Sequence, residues 1–255
     1  MKSICVAALL VVGTTLAASQ QPQHATAATE KDKRDSRGHF QLGQVALHNE
    51  KYDEAEREFQ TSITLDPSFE LARYGLGQTY MATKRFKDAI SAFIACRDVI
   101  HANNAIDATD ETARQRRIDD NIVALEDQKR VYQQPGRNGG SPGAGNYLKQ
   151  LDIQLGTLKE ERHRPASPET ATPGWLSLAL GSAYFRIDDV ANAEQEYRNA
   201  VTVTPKLGEA HNNLAVVLLT TGRAKEAAAE LDAAEKAGYK VNPQLKEDVR
   251  AALKK

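Results

Sequence analysis

The feature that most limits how this chain can fold is a spacing of 34 residues. Leu42-Gly43-Gln44 returns as Leu76-Gly77-Gln78, Tyr52 as Phe86, Ala55 as Ala89 and Phe59 as Phe93, each 34 residues on. The same register returns downstream: Gly181 and Ala215, Ala193 and Ala227, and Tyr197 and Leu231 are again 34 apart. A fixed period of this length marks an array of small units, none of which can bury its apolar face alone. Within a unit, a small residue (Gly43, Gly77, Gly181, Ala215) follows a Leu in a first helix, A. In a second helix, B, an Ala precedes an aromatic or Leu by four places, which puts both on one face. Asn49-Glu50, Thr83-Lys84, Asp188-Asp189 and Gly222 separate the helices, and Pro67 and Pro205 close two B helices.

These residues make the sequence resemble the tetratricopeptide repeat family, over two units at 36–103 and two at 174–241. The resemblance implies an all-α superhelical repeat, an α-solenoid, whose A helices line a concave groove that holds a peptide or a partner helix. It departs from the family where His39, Arg73, Ser177 and His211 replace an early aromatic of helix A, and where His101 stands in place of a closing proline. The groove positions implied are Phe40, Gln44, His48, Tyr74, Gln78, Met81, Trp175, Leu178, Phe185, Arg186 and Asn212, one or two residues off the packing positions and so expected to point away from the repeat core; partial burial is the rival for several, and for Tyr74 and Leu178 the rival is a place in the core. Aromatics and amides there suit peptide recognition, because aromatics bury area at low entropic cost and amides bond an extended backbone. Phe40 and Gln44 occupy the region where some family members grip a C-terminal carboxylate with Lys and Asn, so that activity is not expected. Residues 242–255 read as a capping helix: Asn242-Pro243 starts it, and Leu245, Val249 and Leu253 form one apolar stripe.

The two pairs of units are out of phase, because Gly77 and Gly181 lie 104 residues apart, two more than three repeats. In the intervening segment, 104–173, Ile118, Ile122, Leu125 and Tyr132 form a narrow stripe, and Leu148, Leu151, Leu155 and Leu158 have the three–four spacing of a coiled-coil seam. A Gly/Pro-rich stretch, Pro135–Asn146, separates them. The expectation is an inserted antiparallel helical hairpin, with two decayed repeats as the rival. The hairpin is also a candidate contact between copies of the chain, which would make the protein a self-assembling structural component.

At the start of the chain, Lys2, an apolar run from Ile4 to Val12, and Ala17-Ala18-Ser19 have the layout of a secretory signal peptide over 1–19. Residues 20–35 lack apolar periodicity and read as a disordered lead-in. The expected address is export, to a periplasm or beyond the cell, with no integral span once the signal is removed. Cys5 leaves with the signal, so Cys96 remains alone and reads as a small buried hydrophobe.

Little points to chemistry. A net charge of −1 over 255 residues provides no general attraction to nucleic acid. Gly139-Gly140-Ser141-Pro142-Gly143 formally matches a nucleophile elbow, but that motif needs a strand before the serine and here helical seams flank it. The six histidines make no zinc spacing, and the acidic runs lack the rhythm of a calcium loop. Arg114, Arg116 and Arg117, followed at once by Asp119 and Asp120, read as ion pairs on one helix. No catalytic, cofactor or metal site is expected, and the partner expected is a protein or peptide.

Overall fold

The computed structural model describes residues 28–107, 109–133, 144–163 and 172–254. The signal-type segment and the nucleophile-elbow match around Ser141 lie outside them. The described residues form eleven helices and no strand: α1 Glu30–His48, α2 Tyr52–Leu65, α3 Glu70–Ala82, α4 Phe86–Asp107, α5 Glu111–Gln133, α6 Ala144–Glu161, α7 Gly174–Arg186, α8 Val190–Val203, α9 Gly208–Thr220, α10 Ala224–Lys236 and α11 Pro243–Ala252. Helix α1 starts earlier than the sequence suggests. Thr29 caps it by accepting from the Asp32 amide, Asp32 bonds back to the Thr29 amide, and the lead-in ends there rather than at residue 35.

Four antiparallel pairs, α1/α2, α3/α4, α7/α8 and α9/α10, are the repeats. Each is locked by the large side chain of helix B lying on the small residue of helix A. A methyl group added at Gly43, Gly77 or Gly181 would stand 2.8, 2.3 and 2.7 Å from the rings of Phe59, Phe93 and Tyr197. Phe59 also faces Gly75 of the following repeat, so one ring wedges two units together. The turn between A and B recurs with equal regularity. Glu50, Lys84, Asp188 and Gly222 all adopt φ between 59° and 78°. The next amide in each turn bonds five residues back, as in Lys51 N–H to the Ala46 carbonyl at 2.9 Å and Arg223 N–H to the Leu218 carbonyl at 2.8 Å. This is the left-handed helix stop, in which glycine is the unstrained residue.

The units also share ion pairs that the repeat pattern did not disclose. Arg85 bonds Glu56 of the preceding repeat, and Arg223 bonds Glu194 in the equivalent place. Arg223 and Arg198 hold the Glu194 carboxyl below its ordinary range. His39 and His211, which break the family pattern, each bond a glutamate of their own B helix: Glu58 at 2.7 Å and Glu230 at 2.6 Å.

The second and third repeats stack directly despite the long insertion between them. Tyr74, Phe93, Cys96 and Ile100 from α3 and α4 share one buried cluster with Leu176, Leu180 and Ala183 from α7. Across the same junction Arg97 bonds Glu196 at 3.2 Å. Cys96 is fully buried and its thiol is pushed up by burial. At the far end α11, capped by Asn242, buries Val249 against the last repeat.

The insertion consists of α5 and α6, which run antiparallel. Lys129 meets Asp152, Lys159 meets Glu126 at 2.8 Å, and Arg162 meets Asp119 at 3.1 Å. The first residues of the inserted segment belong to the preceding repeat, because α4 extends to Asp107 and Asp110 then starts α5 by accepting from the Ala113 amide. The leucine seam does not serve the hairpin alone. Leu151 and Leu155 are buried in one cluster with Ile118, Ile122, Leu125, Phe40, Phe59 and Leu71.

Candidate functional site

Arg37, Phe40, Gln41, Gln44 and His48 recur at three- and four-residue steps, so the helical period puts them on one face of α1. In the structure that face is covered by the chain's own α5. Arg37 donates to Asp120 at 2.9 Å, Gln41 donates to Asp127, Gln128 donates to Gln44 at 2.8 Å, and the His48 and Tyr132 rings meet edge to face at 4.6 Å. Residue numbers rise together on both sides, so α5 runs parallel to α1. Ile118, Ile122 and Leu125 lie beneath these polar pairs in the cluster that contains Phe40.

The foot of α5 is clamped to the start of α3 and the end of α4. Glu70, 3% exposed, accepts from Arg117 at 3.2 Å, from Asn121 at 2.7 Å and from Asn103 at 3.1 Å, and Arg117 also pairs with Asp107. Arg114 donates to Glu111 and to the Glu161 carbonyl. Arg114 thus pairs along α5, as the sequence suggested, and also reaches the end of α6, whereas Arg117 bridges to α3 and α4. Burial raises the Asp120 carboxyl even with Arg37 beside it.

The implied groove residues fall into three groups. Phe40, Gln44 and His48 are buried, the first two at 2% exposure, at the junction of α1 and α5. Tyr74 and Leu178 belong to the repeat core. Tyr74 stands edge to face with Trp175 at 4.6 Å across the α3–α7 junction, and burial pushes its phenol up. Leu178 packs among Tyr197, Leu214 and Leu218. For Phe40 the expectation that it points away from the core is corrected, and for Tyr74 and Leu178 the core alternative is the one the structure shows. An A helix in a stack has its own B helix and neighbouring A helices around it, so only a narrow strip stays clear.

The third group is partly accessible. Gln78, Met81, Trp175, Phe185 and Asn212 are half-buried, and Arg186 is exposed with its guanidinium 6.0 Å from the Phe86 ring. Sequence reasoning missed Arg37, Gln41 and the whole docking face of α5. A polar stripe at helical spacing was visible on α1, but nothing in the sequence says what covers it.

Between the hairpin and the repeats lies a cavity of about 720 Å³, lined by Leu71, Ile118, Leu125, Ile153, Trp175 and Leu207 among others. Among the described residues, no group of three or more His, Cys, Asp or Glu side chains is placed to hold a metal, and no helix is long and apolar enough to cross a membrane.

Paired helices stacked unit on unit define the α-solenoid class of repeat proteins. The tetratricopeptide repeat model matches residues 16–68, 40–95 and 178–240, more than half of the chain, and the chain belongs to that family. No curated protein matches it. Among solved structures it is similar to a thermophilic TPR protein of Thermus thermophilus, at 19% identity over 86% of this chain and 98% of that one, with a TM-score of 0.36. It is also similar to the MamA protein, at 16% identity over 80% and 92% of the two chains, with a TM-score of 0.29. A third is the TPR2AB domain of yeast Sti1 in its complex with pHSP90, at 12% identity over 86% and 99%, with a TM-score of 0.29.

Proposed function

We propose that this protein is a non-enzymatic interaction scaffold of the cell envelope, and that its partner docks as a peptide or helix along the concave face of the A helices. Membership of the family supports protein binding in general. One observation carries the finer reading: the strip of α1 from Arg37 to His48 already holds an amphipathic helix by four side-chain pairings. Side chains spaced to hold one helix are spaced to hold another of like chemistry. Trp175, Phe185, Arg186 and Asn212 extend the same face onto the later repeats. The seam of α6 is spent on the repeats' own core, which disfavours the hairpin as a contact between copies. Export rests on the signal-type segment alone.

The test is photo-crosslinking in the envelope of the source cell. A photoreactive residue at Phe185 or Arg186 should give a discrete partner adduct, and one at the exposed Lys225 on α10 should not. Adducts from Lys225 alone would overturn the groove. A mature chain still beginning at Met1 would overturn export.

A further inference from the structure

We infer that the α5–α6 hairpin is a displaceable occupant of the groove, and that the partner that replaces it is a helix carrying α5's own docking face. That face is a carboxylate opposite Arg37, aliphatic side chains over Phe40, an amide opposite Gln44 and an aromatic ring against His48. The inference rests on the docking-groove reading above.

Three observations support it. First, the solenoid closes without the hairpin. The α4–α7 junction is formed by the repeats' own residues, with Tyr74 on Trp175 and Arg97 on Glu196, so the hairpin is not the spacer between the two halves. Second, the hairpin satisfies the groove poorly. Gln44 Nε2 on α1, and Arg117 Nε and Asn121 Oδ1 on α5, are buried with no hydrogen-bond partner among the described residues. Each forfeits a desolvation that a better-fitted occupant would repay. The ion pairs of Arg117 with Glu70 and Asp107 do not redress this, since pairing in a dry site gains little beyond what dehydrating the charges costs. Third, the hairpin packs incompletely against the repeats: a cavity of about 720 Å³ lies between α5 and α6 and the later elements, beside the α1 face, with Leu71, Leu125 and Trp175 as well as Glu70, Arg114 and Arg117 in its wall, and unfilled wall forgoes contact energy.

Ile118, Ile122 and Leu125 add apolar burial to these polar pairs, but a segment whose interface leaves buried polar atoms unmet and a void beside it competes for α1 at high effective concentration. Its contact pattern is the specification for its rival. Asp120, Ile122, Leu125, Gln128 and Tyr132 give the order and spacing a partner helix must reproduce, running parallel to α1.

The probe is a fluorescein-labelled synthetic peptide of residues 111–133, titrated into the full chain by fluorescence anisotropy. A variant with Asp120→Ala, Gln128→Ala and Tyr132→Ala loosens α5 in cis and leaves α1 untouched. It should bind the peptide at least about tenfold tighter than the unmodified chain, because more of the population has an open groove. Hydrogen exchange should rise along α5 and stay protected along α2 and α4. Adding Arg37→Glu to the same variant should remove the gain, and a peptide bearing the three alanine changes should bind neither protein. Equal peptide affinity for the loosened and unmodified chains overturns the inference, as does α5 protection that survives the three changes. Either result, together with partner adducts at Phe185 or Arg186, would leave the docking groove standing and remove only displacement.

Discussion

Gly77→Ala tests the lock within each repeat. The added methyl would stand 2.3 Å from Phe93 Cε1 and 2.5 Å from Cδ1. Phe93 is 1% exposed, and its ring lies 5.5 Å from that of Tyr74, so it cannot swing aside without moving a second ring. Overfilling a tight core costs about 1–3 kcal/mol. Alanine in place of glycine inside a helix returns about 1 kcal/mol. With a rigid ring as the obstacle the cost stands at its upper end, so the net loss is about 2 kcal/mol, or about 4–8 °C in a domain of this size. The fourth repeat supplies the rescue. There the equivalent pair is Ala215 facing Leu231, both buried. Phe93→Leu leaves a void when made alone, and combined with Gly77→Ala it recreates that natural pair. The double-mutant cycle, read from circular dichroism melts at 222 nm, should show a coupling of at least about 1 kcal/mol in the favourable direction. Additivity within about 0.5 kcal/mol would refute the lock.

Two further perturbations follow from the same geometry. Burial raises the Glu209 carboxyl above its ordinary 4.5, so burial outweighs any help from the start of α9. The native state then holds that proton more tightly than the unfolded chain, and the penalty is full above the folded pKa and gone below 4.5. Glu209→Gln should raise the melting temperature at pH 7, with the difference closing as pH falls toward 4.5; a gap that widens on acidification would contradict this. Lys84 occupies the left-handed turn position at φ 61°, where Gly222 sits at φ 78°. Lys84→Gly should stabilise by about 0.5–1 kcal/mol and Gly222→Ala should destabilise by about 1 kcal/mol, both from denaturant midpoints.

The repeats were legible because their rule is local. A small residue, an aromatic or Leu 16 positions later and a turn after helix A recur at one period, and each reports a contact made within 34 residues. The capping helix was legible for the same reason, through Asn242-Pro243. The inserted helices could be seen as apolar stripes, but their docking could not. Gln44 finds Gln128, Arg37 finds Asp120 and Glu70 finds Asn121 at sequence separations of 84, 83 and 51 residues, by polar contacts that leave no periodic mark in the sequence. Phe40 and Tyr74 were placed in the groove by family analogy, and both turned inward because stacking closes most of an A helix's surface. The departures at His39 and His211 became intelligible only when Glu58 and Glu230 were seen opposite them.

The central claim is that α5 lies in the groove of α1 in the intact protein. Gln44→Cys with Gln128→Cys, in a chain that also carries Cys5→Ser, puts two thiols where the side chains now meet at 2.8 Å, while Cys96 is fully buried. Dibromobimane, which fluoresces on bridging two nearby thiols, should close this pair intramolecularly in the full chain, and denaturant should abolish the signal. Two thiols that react singly and never bridge, in a protein whose circular dichroism remains helical, would contradict the account.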